Sequence, residues 1–297
     1  MNSRIISHRN AIKKIYSPAN LGQIVKMADE FERTKAGNLK FSSFQREVLQ
    51  DAFPGFTYDF CVTSIVETNS EGIPVDITSM LLDLPDDILE NYMKFAHLDP
   101  LTPLTYLNPG RAINYTKVMT KEMVYNHPFY KQHLSRYDIF CGISLCVLFP
   151  SHHETFLTVD YLANEQNTSW NHFDYTRLEL ASFPFILAWF FRRKLMDLKE
   201  LKRRFLLLEG LTEHQLQNLR KFVNSPDQHF KEQATDLGIK AGTLKDDLYS
   251  TRDIVLPRLG LDELSKAKTS GSPLRKLESE CSFLKLIGDH TRPMRSL

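Results

Sequence analysis

Lys231-Glu232-Gln233-Ala234-Thr235-Asp236-Leu237-Gly238-Ile239, followed by Thr243-Leu244-Lys245 and Leu248, decides how this chain is read. Gly238 tolerates positive φ, which a tight turn between two helices demands. Before it, Phe230, Ala234 and Leu237 share one helical face, with Asp227 the expected N-cap. Beyond it, Leu244, Leu248, Thr251 and Val255 form an inward stripe and leave Thr243, Lys245, Asp246, Tyr249 and Arg252 on the other faces. Upstream, Leu211-Thr212 opens a first helix in which Leu216, Leu219, Phe222 and Val223 recur at helical spacing. Three helices, the last two joined by a glycine turn, make a helix-turn-helix. In that arrangement one helix braces the phosphate backbone while the next lies in the major groove.

Leu211, Thr212, Leu219, Lys231, Glu232, Ala234, Leu237, Gly238, Ile239, Thr243, Lys245 and Leu248 also stand in the register of a known domain. Over roughly 50 residues the segment resembles the C-terminal domain of LuxR-type bacterial transcription regulators. The resemblance implies a double-stranded DNA partner, with Lys231, Lys240 and Arg252 on phosphates and Thr243 and Lys245 near bases or backbone. It also has departures. His214 and Gln215 replace the family's usual Arg-Glu, and Asp246 and Asp247 follow Lys245 where a neutral or basic residue is usual. The stretch Leu248 to Gly260 is about one helical turn longer than in the family. It contains Pro257, expected to end or kink the helix. Because carboxylates repel phosphates, a second reading stays open: a helix-turn-helix that has lost DNA binding and regulates through a protein partner.

The 297 residues suit one large or two ordinary domains, and 37 Lys/Arg against 36 Asp/Glu leave a net charge of +1. From Lys199 onward there are 18 Lys/Arg against 14 Asp/Glu, whereas the preceding residues hold 19 against 22. That is the sign expected of a DNA module joined to a different one. Cys61, Cys141, Cys146 and Cys281 show no metal-ligand spacing and read as buried free thiols in a reducing, cytoplasmic compartment. Residues 1–20 lack the apolar core of a signal peptide. The apolar run from Leu178 to Phe191 is too short to span a bilayer and contains Glu179 and Pro184, so no membrane partner is expected.

In the N-terminal two-thirds, Phe56 to Val66, Asp138 to Phe149 and Glu154 to Leu162 read as strands. Phe156-Leu157-Thr158-Val159-Asp160-Tyr161 alternates as a half-buried antiparallel strand does. Helical stretches lie at Leu21 to Thr34, Ser42 to Phe53, Pro85 to His97 and near Thr120 to Leu134. The expected fold is an α+β sensor domain of the GAF/PAS kind, an antiparallel sheet with helices, followed by an all-α helix-turn-helix domain. The segments Asp99-Pro100-Leu101 through His127-Pro128-Phe129-Tyr130, then Gly142 to Leu145 and Trp170 to Asp174, resemble the sensing domain of some LuxR-type regulators. Tyr106, Tyr115, Phe129, Tyr130 and Trp170 are the candidate ligand-binding residues, since rings with polar tips suit pocket walls. A small-molecule or protein effector follows from this reading.

No P-loop, dinucleotide fingerprint, zinc-protease helix or nucleophile elbow occurs, so neither an enzyme nor a cofactor is expected. His152-His153 reads as an exposed hairpin tip rather than a metal site.

From Asp174 to about Glu209 the pattern is helical, apolar all round at first and then basic, with Leu195, Leu198, Leu201, Phe205 and Leu208 at three and four spacing. Such a stripe suits a coiled-coil seam, hence a homodimer, or equally a helix packing on its own domain. The expected division is residues 1–173 as sensing domain, 174–209 as linking and dimerisation helix, 210–269 as helix-turn-helix domain and 270–297 as C-terminal extension. In the extension Leu277, Cys281, Leu284 and Ile287 would form a short amphipathic helix.

Overall fold

Five strands pair into one antiparallel sheet, the clearest alternation being that of Phe156 to Tyr161. In this computed structural model the described residues are 11–29, 35–53, 56–70, 73–82, 85, 87–149, 152–167, 175–193, 195–261 and 272–288. The chain forms an α+β fold divided into two compact units. Among the described residues, one comprises those between 35 and 179; the other comprises 11–29 and those between 180 and 288.

The strands belong to the first of these units: β1 (Phe60–Thr68), β2 (Pro74–Leu82), β3 (Ala112–Asn114), β4 (Cys141–Phe149) and β5 (His152–Ala163), in the order β2-β1-β5-β4-β3. Register aligns Val62 and Ser144 with Asp160, and Ser64 and Cys146 with Thr158. Because successive side chains alternate faces, Thr158, Asp160 and Leu162 share one face of β5, and Val159 and Tyr161 the other. The Val159 face packs toward the helix Lys35–Ala52, where Gln45 Nε2 donates to the Tyr161 hydroxyl at 3.1 Å. The opposite face was expected to be the solvated one. It is not: Thr158 is 3% exposed and Ser144 7%, because the short helices between residues 88 and 137 cover it. Sequence alternation identifies two faces, but water and a polar cavity select the same residue types.

β2 and β3 were not expected. β3 has only three residues, too few to show a period, and it is placed by Glu179, a fully buried carboxylate that accepts from the Ala112 N–H at 2.5 Å. Buried acids need such donors, which explains an acid inside an otherwise apolar helix.

The second unit is helical. The expected single helix from 174 to 209 is two, Tyr175–Arg192 and Leu198–Leu208. The second begins where Asp197 accepts from the Glu200 N–H at 2.7 Å, an N-cap. Leu201, Phe205 and Leu208 of the expected seam are buried within the chain, packing toward the helices Pro18–Asp29 and Ala241–Arg258. These three residues of the stripe pack within their own unit. Leu195 and Leu206 remain 41% exposed. No helix among the described residues is long and apolar enough to cross a membrane.

Residues 11–29 join this unit rather than the sheet-bearing one, unlike the expected division at residue 173. Tyr16 is the tie: its hydroxyl donates to Leu180 O at 2.8 Å, and its own carbonyl accepts from the Gly210 N–H at 3.2 Å. The C-terminal extension joins it too. Ser272–Glu280 and the 3₁₀ turn Ser282–Leu286 place Leu277, Cys281, Leu284 and Ile287 at zero exposure against the helices Glu213–Asn224 and Ala241–Arg258.

Candidate functional site

Each unit presents one site. In the sheet-bearing unit the polar face of β1, β4 and β5 and the short helices enclose about 730 Å³ of space not filled by atoms, including an open mouth. Tyr106, Tyr115 and Phe129 line it, three of the five candidates named from sequence. Tyr130 lies instead on a smaller neighbouring cavity of about 250 Å³, beside Tyr125 and Phe140. Trp170 lies outside the described residues.

Two carboxylates that are not among the sequence candidates define the cavity's chemistry. Asp99 is 5% exposed and pinned: Oδ1 accepts from the Leu101 and Thr102 N–H groups at 2.9 and 3.3 Å, and Oδ2 from the Thr102 and Tyr92 hydroxyls at 2.5 and 3.2 Å. Burial pushes its pKa up against those bonds. Asp160 sits across the cavity lining, held by the Ser144 hydroxyl and by Thr158. Burial pushes its pKa up to about 6, and the Asp99 charge raises it further against those two hydroxyls.

No lysine or arginine among the described residues lines the cavity. His133, whose ring stacks among Tyr92 and Phe129, is held neutral: burial, then the Arg136 charge, lowers its pKa to about 4. The Tyr106 and Tyr115 hydroxyls, with pKa values raised well above the ordinary range by burial, have no hydrogen-bond partner among the described residues. The arrangement is an apolar, aromatic-walled space with negative charge and open hydroxyls, suited to one small molecule. The signal for the acids was the period-2 position of Asp160 opposite Ser144. It becomes legible only once the face is known to be covered.

In the helical unit Glu213–Asn224, Phe230–Asp236 and Ala241–Arg258 form the helix-turn-helix. Thr212 caps the first, accepting from the Gln215 N–H at 3.2 Å while Gln215 Oε1 accepts from the Thr212 N–H at 3.0 Å. His229, not Asp227, is the N-cap of the second, its N–H bonded to Glu232 at 3.2 Å. Gly238 has φ +68°, the left-handed turn conformation. Leu244, Leu248, Thr251 and Val255 have no exposure. Pro257 sits in the last turn of the third helix, which ends at Arg258, and the chain leaves at Gly260, φ +72°.

Lys231, Lys240, Thr243 and Lys245 are all exposed, and none of the three lysines forms an ion pair among the described residues. Arg252 stands apart from them. It is 9% exposed, lies over the Tyr249 ring at 4.6 Å and pairs with Asp253 at 2.5 Å. Asp246 is exposed beside Lys245, but Asp247 turns inward to Asn218 Nδ2 at 2.8 Å and His214 Nδ1 at 2.9 Å. Lys221 and Arg220 are buried as well, on Asp236 at 2.7 Å and on the Ile287 carbonyl at 3.2 Å. Among the described residues no three His, Cys, Asp or Glu gather as a metal site. The side chains of His152 and His153 are outside the described residues.

No family model and no curated protein matches this chain. Two solved structures of Escherichia coli SdiA are similar to it. One, in space group P6522, is 13% identical with a TM-score of 0.38 and covers 90% of this chain and 97% of its own. The other, in complex with octanoyl-rac-glycerol, is 11% identical with a TM-score of 0.39 and covers 91% and 96%. A likeness this slight defines neither fold nor ligand.

Proposed function

We propose that this chain is a DNA-binding transcription regulator of the LuxR type, controlled by its sheet-bearing, GAF/PAS-like sensing domain. The observation that carries the reading is the helix-turn-helix with Lys231, Lys240, Thr243 and Lys245 exposed around its turn and the start of its third helix. The three lysines position the protein on phosphates, and Thr243 and Lys245 stand where the third helix meets base edges. Arg252, occupied by Asp253 and Tyr249, serves as support for that helix more than as a phosphate contact.

The cavity is the sensing site, with Tyr106, Tyr115 and Phe129 as ligand contacts. An effector acts only by binding the DNA-competent and incompetent arrangements unequally. A two-fold reader meets two half-sites one helical turn apart, so the active species is a homodimer. Fluorescence anisotropy of duplex fragments across a salt series tests DNA binding, and sedimentation of the complex tests its stoichiometry.

One observation favours the second reading, a helix-turn-helix that acts through a protein partner. The third helix carries Lys245, Arg252 and Arg258 against Asp246, Asp247 and Asp253, with no net charge. Arg258 is spent on the Leu206 and Glu209 carbonyls at 2.8 and 2.5 Å. The same salt series separates the two readings.

A further inference from the structure

Six charged side chains ride on the third helix of the helix-turn-helix, and five of them are engaged within the protein. Asp247 meets Asn218 and His214, Asp253 pairs with Arg252, and Arg258 holds the Leu206 and Glu209 carbonyls. The Lys245 ammonium lies 5.9 Å from the Tyr249 ring centre. Asp246 alone of the six has no such partner among the described residues.

Its direction matters as much as its freedom. At about 3.6 residues per turn, each residue is rotated by roughly 100° from the one before it. Leu244, Leu248, Thr251 and Val255, all with no exposure, fall within about 60° of one another and mark the inward line. Asp246 and Gly242, both exposed and one turn apart, fall within about 30° of the line directly opposite. Thr243 and Lys245 flank that line by about a quarter turn on either side. In a helix laid in the major groove, the outward line meets the base edges and the flanks meet the rims.

Gly242 is a second sign of an outside surface. Its backbone is helical, not left-handed, and glycine weakens a helix there. A Cβ at this position would meet no protein atom within 4 Å. Neither backbone conformation nor packing calls for a glycine, whereas close approach of another molecule to the helix does.

We propose that Asp246 is a specificity-determining residue: its carboxylate accepts from the N4 amino group of a cytosine, and Gly242 lets the helix settle onto that base pair. The inference rests on the DNA-binding reading above and names a base that the same helix selects. A carboxylate only accepts, and the major-groove edges offer two kinds of donor, cytosine N4 and adenine N6. Adenine sets its N7 acceptor beside N6, where it repels a carboxylate; cytosine presents its donor alone. The acids that leave this helix without net charge thus divide. Asp247 and Asp253 brace the helix, and Asp246 reads the DNA.

The test selects duplexes from a random-sequence library with the full chain at about 50 mM salt. Selected sites should share a C·G base pair, and replacing it by T·A in the best site should weaken binding about tenfold by fluorescence anisotropy. Asp246→Asn should erase that difference and favour adenine at the same position, since an amide pairs with N6 and N7 together. Its denaturant midpoint should not move, because the side chain has no partner to lose. Gly242→Leu should keep the fold, having open space around it, and weaken binding at least about tenfold.

Selected sites without a shared C·G pair, or an unaltered preference in Asp246→Asn, would overturn the role of Asp246 and leave a DNA reader. Unchanged affinity in Gly242→Leu would overturn the close approach on this face. No duplex selected by the folded, unmodified chain would overturn the DNA-binding reading together with this inference.

Discussion

The Tyr16 hydroxyl donates to the Leu180 carbonyl, the oxygen that Pro184 leaves without its helical donor. In an α-helix the N–H of residue i+4 would take that carbonyl, and proline has none. A fully buried tyrosine from the turn between the helices Ala11–Ile15 and Pro18–Asp29 replaces it at 2.8 Å, so a carbonyl left open by a proline inside a buried helix is satisfied by a residue 164 positions before it.

Tyr16→Phe should therefore destabilise the chain by about 1–3 kcal/mol, the penalty of an unsatisfied buried carbonyl. In a Pro184→Ala background the new N–H reclaims Leu180 O, and the same change should then fall below about 1 kcal/mol. Urea unfolding of the two single variants and the double variant measures the coupling; equal Tyr16 effects in both backgrounds would refute it.

His214 and Asp247, both departures from the LuxR-type pattern, meet at 2.9 Å, and Asp247 also accepts from the nearly buried Asn218. Asp247→Ala should lower stability by about 1–2 kcal/mol, chiefly by depriving Asn218 of its charged acceptor and leaving it only His214 Nδ1 at 3.2 Å. His214→Ala should matter less, about 0.5 kcal/mol, because its ring is half exposed and solvent screens the pair. Denaturant midpoints at constant slope check both.

Gly238→Ala places a side chain at φ +68° with nothing within 4 Å to clash, so its effect isolates the backbone. The expected loss is about 1–2 kcal/mol. A neutral substitution would mean that the turn relaxes.

These elements show what was legible. The three helices around Gly238 could be read because apolar spacing and a single turn glycine are local, and the burial of Leu244, Leu248, Thr251 and Val255 followed from spacing alone. The Tyr16–Leu180 bond could not, since nothing near residue 16 announces a proline 168 residues on. Asp227 was read as a cap because Asp is a good capping residue, yet His229 holds the position through Glu232. The tyrosines of the cavity were visible as an aromatic-rich middle. Its acids were not, because Asp160 in an alternating strand looks the same whether it meets water or a ligand.

Asp160 makes a pH prediction. Its folded pKa, near 6, lies above the ordinary 3.8, so the folded state binds the extra proton between those values. Stability conferred by that protonation is present at the acid end and is lost as pH rises through about 6. Asp160→Asn removes the loss, so it should be more stabilising near pH 7.5 than near pH 4.5, by up to about 3 kcal/mol. Thermal unfolding at the two pH values reads the difference, and a larger gain at the acid end would contradict the burial account.

The proposed role of the helix-turn-helix is to bind duplex DNA through its exposed lysines. The most direct measurement is fluorescence anisotropy of random and genomic duplex fragments over a salt series, with Lys245→Ala and Arg252→Ala alongside. The account predicts tight binding to some fragments with a steep negative dependence on salt, a slope shallower by about one for Lys245→Ala, and a slope unchanged for Arg252→Ala. No binding at low salt by a folded protein would contradict it and leave the protein-partner reading in its place.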